Sequence, residues 1–288
     1  MSENLSPVAP TTISTWLQTA TNELQSVSIS SARLDCLILL GEVLGEDKTY
    51  LLAYPDRELS DRELSQLMDL LKRRKQHEPI AYIRGFTEFY GRRFRVTPDV
   101  LIPRPETEVL IDLLKELPLV PTDSASSPPL LIDVGTGSGC IGITAGLELP
   151  ELRILLTDID PRAIEVAMEN AAELRTSNVT TGLSNLLANV DTKDQAYIIT
   201  ANLPYVAKGF EISPDARHEP DLALFADDQG YALIEQLLPQ AQEQLRAGGY
   251  LLLESDPWQH DRILKNATEY GFSPIAQQRF HLVLQKAV

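Results

Sequence analysis

The chain has 288 residues, 43% hydrophobic and 23% charged, enough to bury a sizeable core, and its length suits two domains. A net charge of −16 argues against a chain whose main task is gripping phosphate backbones, because that takes a basic patch. No run reaches the roughly 20 apolar residues needed to cross a bilayer, and residues 1–10 carry Glu3 rather than a basic stretch before an apolar core, so a cytoplasmic protein without membrane contact is expected.

Over residues 13–82 the apolar side chains recur at helical spacing, as in Ala32, Leu34, Leu37, Ile38 and Leu40 and again in Leu64, Leu67, Met68 and Leu71. This predicts a small all-helical domain for recognition or orientation. Ser60-Asp61-Arg62-Glu63 supplies a capping side chain and first-turn acids for its later helix. Arg73-Arg74-Lys75 reads as a solvated helix end, and Arg92-Arg93-x-Arg95 as a hairpin surface. Cys36 and Cys140 fall in separate helical contexts, where each is expected as a small buried hydrophobe with neither a disulfide nor a metal.

From Gly85 to Val96, aromatic and apolar residues alternate about Gly91, the pattern of a hairpin joining two domains. Pro103-Arg104-Pro105 stiffens the next turn, and Glu106 and Glu108 open a helix running to about Glu116. A Pro/Ser-rich loop follows over 118–129. Thereafter strands are predicted at 130–134, 153–157, 196–201 and 250–254, with helices from Cys140 and over 161–174. Such alternation implies a parallel sheet with helices on both faces and a ligand at the carboxyl ends of its strands. A last strand over 280–284 would pair at the sheet edge.

The turn Asp133-Val134-Gly135-Thr136-Gly137-Ser138-Gly139 leaves the first of these strands and opens a helix, so its glycines let the backbone approach a ligand without Cβ clashes. Asp158, at the next strand end, offers a carboxylate to both ribose hydroxyls of an adenosine cofactor, a device common to nicotinamide and S-adenosylmethionine sites. Gly137-Ser138-Gly139-Cys140-Ile141-Gly142 formally satisfies the dinucleotide fingerprint, which keeps a dehydrogenase in view. Against it, Asp133 and Gly135 already occupy the strand end, and an acid there would repel a pyrophosphate and attract a sulfonium. S-adenosyl-L-methionine is the favoured cofactor, held by the loop Asp133, Gly135, Thr136, Gly137, Ser138 and Gly139 and by Asp158.

Asn202-Leu203-Pro204-Tyr205 ends the β-rich run 196–201. Alone it reads as a strand exit, with proline ending the strand and tyrosine packing over it. After a cofactor loop it suggests methyl transfer to a planar nitrogen. A flat amide or exocyclic amine is a poor nucleophile, so a site must hold its N–H groups with acceptors, orient its lone pair and cover its plane. His77, His218, His260 and His281 show no triad or metal spacing and are expected at the surface or in packing.

Asn202-Leu203-Pro204-Tyr205 resembles the (Asn/Asp/Ser)-Pro-Pro-(Tyr/Phe/Trp) signature of amino-methyltransferases, with Leu203 for the first proline. Adding Pro79-Ile80-Ala81-Tyr82-Ile83-Arg84-Gly85, Phe89, Leu101-Ile102-Pro103-Arg104-Pro105-Glu106-Thr107-Glu108 and the glycine loop, the chain resembles the HemK/PrmC family of release-factor glutamine methyltransferases over nearly its whole length. Ser31-Ala32-Arg33-Leu34-Asp35, Leu44-Gly45, Glu219-Pro220, Gly230, Gly248-Gly249 and Leu253-Glu254 extend the likeness.

That resemblance implies a Rossmann-like S-adenosylmethionine-dependent methyltransferase domain, α/β with a mostly parallel twisted sheet, over 106–288. A helical substrate-recognition domain over 1–84 and a β-hairpin linker over 85–105 would precede it. The implied reaction moves a methyl group to the side-chain nitrogen of the glutamine in the Gly-Gly-Gln motif of peptide chain release factors, with nucleic acid not expected as a direct substrate. Asn202, Pro204 and Tyr205 would be catalytic; Asn202 and Leu203 would accept the amide hydrogens, Leu203 through its carbonyl, Pro204 and Tyr205 would shape the substrate slot around the amide plane, and Asn202 would also contact the cofactor. Asn185 and Leu186 stand where the family often has an aspartate and an aromatic or apolar residue near the adenine. Asn-Leu-Pro-Tyr also resembles the motif of rRNA adenine dimethyltransferases, so an adenine-N6 methyltransferase is the main alternative. A non-catalytic adenosine-binding module, with Leu203 marking decay of the slot, is a further one.

Overall fold

The computed structural model describes residues 10–118, 128–190 and 195–288, so most of the expected Pro/Ser-rich loop, residues 119–127, lies outside the described residues. Two compact units emerge: the chain up to Arg84 together with Pro214–His218, and Gly85–Ser213 with Glu219–Val288.

The first unit is built from helices Ile13–Ser26, Ala32–Leu44, Lys48–Ala53, Asp61–Lys75 and Ile80–Arg84. Their apolar stripes meet in one core that holds Leu17, Leu24, Leu39, Leu40, Leu67 and Leu71. Ser60 and Glu63 form a capping box at the start of Asp61–Lys75, in which Ser60 N donates to Glu63 Oε2 at 2.7 Å. That backbone donor holds the Glu63 carboxyl below the usual carboxylate range.

The solvated helix end expected of Arg73-Arg74-Lys75 fails at its middle member. Arg74 follows Leu67 and Leu71 on the inward face and is 3% exposed. Its Nε donates to Asp35 Oδ2 at 2.8 Å, its Nη1 to the Glu78 carbonyl at 3.1 Å and its Nη2 to Asp215 Oδ2 at 2.8 Å. Asp215 also lies 3.1 Å from His77 Nδ1, and His218 Nε2 donates to the Gln76 carbonyl at 2.9 Å, which seats Pro214–His218 in the helical unit. Removing the guanidinium would strand the Asp35 carboxylate, itself 4% exposed. We expect Arg74→Met to cost about 3–5 kcal/mol, read as a lowered calorimetric midpoint of the full chain. An unchanged midpoint would mean that the buried pair contributes nothing net.

The second unit opens with the antiparallel hairpin β1 (Phe86–Phe89) and β2 (Arg92–Arg95). Phe89 and Phe94 meet edge-on in its core, 6.0 Å between centroids, while Arg93 covers the Phe86 ring at 3.5 Å on the surface side. The Pro105–Thr107 turn leads into helix Glu108–Glu116. A seven-stranded sheet follows, from β3 (Leu130–Val134), β4 (Arg153–Asp158), β5 (Val179–Leu183), β6 (Ala196–Asn202), β9 (Leu245–Glu254), β10 (Phe272–Gln278) and β11 (His281–Lys286). A short parallel pair, β7 (Val206–Ala207) with β8 (Phe225–Ala226), lies outside it.

The order across the sheet is β10-β11-β9-β6-β3-β4-β5, parallel except at the two pairings of β11. The fold is thus a mostly parallel Rossmann-like sheet with apolar clusters on both faces. Strand β3, buried at every position, lies inside the sheet between β6 and β4. The last strand is not at the edge, since β10 takes that place outside β11. Strand β5 likewise has no counterpart among the predicted strands. Cys36 and Cys140 are buried and free, and burial pushes the Cys36 thiol up to about 11 and raises that of Cys140. His260 and His281 are both 2% exposed, within the packing of this unit.

Candidate active site

Strand order reverses beside β3: the chain runs outward through β4 and β5, then returns to β6 on the other side. Parallel sheets place ligands at such a switch point, outside the carboxyl ends of the strands. The glycine loop leaves β3 there, and Asn202 ends β6 beside it, in register with Val134 opposite Ala201. Gly135–Ser138, Asp158, Asn185, Leu186, Asn202, Leu203 and Pro204 line one cleft at this point.

Asp133 is not on the wall of that cleft, contrary to the expectation that its charge faces a sulfonium. It is 1% exposed, and its carboxylate turns beneath the loop. Oδ2 accepts from Thr136 Oγ1 at 2.6 Å and Gly142 N at 3.1 Å, and Oδ1 accepts from Thr200 Oγ1 at 2.8 Å. One buried side chain therefore ties the loop, the helix after it and the strand that ends in Asn202. Burial pushes this carboxyl up to about 6 in spite of those three donors. Gly139 also stands behind the cleft. With φ +82 it leads into helix Cys140–Glu148, and a Cβ there would lie 2.6 Å from Ile143 Cδ1.

Asp158 is half-buried at the end of β4 and lines the cleft. Its Oδ2 accepts from Gly137 N at 2.9 Å and its Oδ1 from Asp160 N at 3.0 Å. Ile159 N is a third backbone donor, and the four lone-pair sites of the two oxygens still leave an acceptor for a ligand. Burial raises this carboxyl above its ordinary value, outweighing the backbone donors. Asn185 is exposed and Leu186 is 7% exposed with φ +52, so the leucine fills the core side of the wall and the asparagine the open side.

Asn202 is half-buried, and its Nδ2 donates to Thr107 Oγ1 at 3.3 Å. Leu203 is 4% exposed and packs into the apolar cluster of the sheet. A Cβ on Gly135, whose φ is +67, would lie 3.0 Å from Leu203 Cδ2, so the leucine takes up space that a glycine across the loop leaves open. Tyr205 is half-buried but does not line the cleft, against expectation. Its carbonyl lies 3.5 Å from Gln259 Nε2 and abuts Gly230, and burial, with Glu254 beyond it, pushes the phenol up to about 12.

Three supports are missing from the sequence reading of the site: Thr107, Thr200 and the pair Gly230 and Gln259. Thr107 sits in the Ile-Pro-Arg-Pro-Glu-Thr-Glu stretch that carried the family resemblance, which was the available signal. Glu219 belongs with them. It is 5% exposed, accepts from Ile102 N at 3.1 Å and pairs with the Arg104 guanidinium, so it fastens that stretch beside the cleft.

The cleft fits an adenosine cofactor: Asp158 keeps an acceptor at a strand end, and the loop backbone is open at Gly137, where a Cβ would meet nothing within 4 Å. Two family profiles match the chain, the PrmC N-terminal domain over residues 15–85 and the methyltransferase small domain over 107–219. A release factor glutamine methyltransferase from Koribacter versatilis (strain Ellin345) is 39% identical over 238 residues, covering 82% of this chain and 83% of that protein. The chain belongs to the release factor glutamine methyltransferase family. The family enzyme of the same name from Salmonella typhimurium is 36% identical over 262 residues, covering 90% of this chain and 91% of its own. Among solved structures, a methyltransferase from Pyrococcus furiosus superposes with a TM-score of 0.51 at 18% identity, over 69% of this chain and 91% of that one, a likeness of fold. Among the described residues, no helix is long and apolar enough to cross a membrane.

Proposed function

We propose that this protein transfers a methyl group from S-adenosyl-L-methionine to the side-chain amide nitrogen of the glutamine in the Gly-Gly-Gln motif of release factors, and so modulates translation termination. The observation that carries the reading is the Asn202 carboxamide at the end of β6, anchored by Thr107 and facing the cleft built by the glycine loop and Asp158. A net charge of −16 favours a protein substrate over a polyanion.

Gly135–Ser138 and Asp158 would hold the cofactor, which would supply an activated methyl group to the amide nitrogen in exchange for one amide proton that passes to solvent. The chain supplies orientation. Asn202 Oδ1 accepts one amide hydrogen and the Leu203 carbonyl accepts the other, fixing the plane of the poor nucleophile; a main-chain acceptor survives replacement of proline by leucine. Pro204 walls the slot. Tyr205 serves by holding the turn, since its carbonyl is clamped between Gln259 and Gly230. Acceptors that are already placed stabilise the nitrogen as it gains positive character, without a strong base.

Asp158 holds the ribose hydroxyls. We expect Asp158→Ala to weaken S-adenosylmethionine binding by about 1.5–3 kcal/mol, the value of a charged hydrogen bond, measured by titration calorimetry. Unchanged affinity would remove Asp158 from the cofactor site. The function itself is tested by mapping the product: after incubation with cofactor and a release factor, peptide mass spectrometry should find the added methyl on the glutamine of Gly-Gly-Gln. A methyl placed elsewhere, or none with cofactor bound, would defeat the reading.

A further inference from the structure

The geometry points to Thr107 as a positioning residue for methyl transfer, one that holds the Asn202 carboxamide in place where the substrate must meet it. This inference rests on the function proposed above. A carboxamide has two ends of nearly equal shape and opposite character, and its terminal torsion is broad and roughly two-fold. Turned one way, Asn202 offers an acceptor to an incoming amide N–H. Turned the other way, it offers N–H to N–H and repels the substrate.

The contact found is Nδ2 to Thr107 Oγ1 at 3.3 Å, which leaves Oδ1 as the other end. Both residues line the cleft. Thr107 is 2% exposed, so water has little access to replace it, and its branched side chain is restricted at χ1.

The turn that carries Thr107 is itself fastened. Thr107 N donates to the Arg104 carbonyl at 3.1 Å. The Arg104 guanidinium pairs with Glu219, which also accepts from Ile102 N. Immediately after Thr107, Glu108 Oε1 accepts from Tyr90 N at 2.8 Å. The hydroxyl therefore stands on a braced element from a part of the chain 95 residues away from the asparagine it holds. Position and chemistry both suit an anchor for the carboxamide.

The test compares wild type with Thr107→Val, Thr107→Ser and Asn202→Ala, measuring kcat and KM on an intact release factor and the Kd for S-adenosylmethionine. Thr107→Val keeps the shape and removes the acceptor. It should lower kcat about ten- to a hundredfold, an effect in the range of a lost site hydrogen bond, with cofactor Kd and release-factor KM within about twofold of wild type. Thr107→Ser restores the hydroxyl and should recover most of kcat. If Thr107→Val turns over like wild type while Asn202→Ala is inactive, the positioning role fails and the proposed function stands. If Thr107→Val loses cofactor affinity or fold along with kcat, the residue is merely structural and the inference is overturned. Wild-type turnover by Asn202→Ala would bring down the reading on which the inference rests.

Discussion

Asn202→Ala should lower kcat for transfer to the release-factor glutamine by about 10²–10³-fold, the scale set by removal of one placed hydrogen-bonding group from an active site, with the Kd for S-adenosylmethionine nearly unchanged. The asymmetry follows from what each part of the cleft does. The cofactor side is built by the glycine loop, by Asp158 and by the buried Asp133 brace, and the Asn202 side chain makes none of the brace's hydrogen bonds. Truncation removes the substrate acceptor and frees Thr107 Oγ1, but leaves the Asp133–Thr200 link in place. Single-turnover kinetics with cofactor binding measured in parallel decide the matter. Parallel loss of both would assign Asn202 to the cofactor site instead.

Gly230→Ala should be the most damaging small substitution in the second unit. Asp228, Gln229 and Gly230 run in sequence at φ +53, +56 and +85, bending the chain against the turn that follows Asn202. A Cβ on Gly230 would lie 1.9 Å from the Tyr205 carbonyl oxygen and 2.5 Å from its carbon. Both obstacles are main chain, so no rotamer change relieves them, and Tyr205 must move with the slot. Gly209 provides the control: its φ is also +85, yet a Cβ there meets nothing within 4 Å. Gly209→Ala should therefore cost only the left-handed backbone penalty of about 1–2 kcal/mol. Gly230→Ala adds a steric clash and should cost more than about 4 kcal/mol, in the exceptional range for one substitution, and abolish transfer. Calorimetric midpoints and activities of the two variants measure the difference, and equal behaviour would show that the Tyr205 turn yields freely.

What was legible in the chain is what neighbouring residues dictate. The strand Leu130–Val134 and the helix beginning at Pro161 are legible in the alternation of apolar strands with helices, and the helix from Asp61 in its periodicity and capping residues. Strand β5 escaped notice because Val179–Leu183 is half-exposed and contains Gly182. Strand β10 escaped because Pro274 interrupts a mostly exposed run; proline is tolerated there because this is the edge strand, and the register shifts just after it. Missing it put the final strand at the edge. Strand β9 begins at Leu245, before the expected start at Tyr250, because Gly248-Gly249 is carried within the strand at an irregularity in its pairing with β6.

The same division holds in the cleft. The glycine loop, Asp158 and Asn202 were legible as local motifs at strand ends, and the sheet brings them together. Partners far along the chain were not legible. Asp133 looked like a ligand because its position in the motif is visible and its three donors are not. Arg74 looked solvated because its acceptors, Asp35 and Asp215, lie 39 and 141 residues away. Thr107 carried a family likeness with no local hint that it holds Asn202.

The most direct measurement is transfer of labelled methyl from S-adenosyl-L-methionine to an intact release factor, to the same factor with Gln→Ala in its Gly-Gly-Gln motif, and to a structured RNA in parallel. Glutamine methylation predicts label on the intact factor alone. Label on the RNA alone, or equal label on both protein forms, would contradict it.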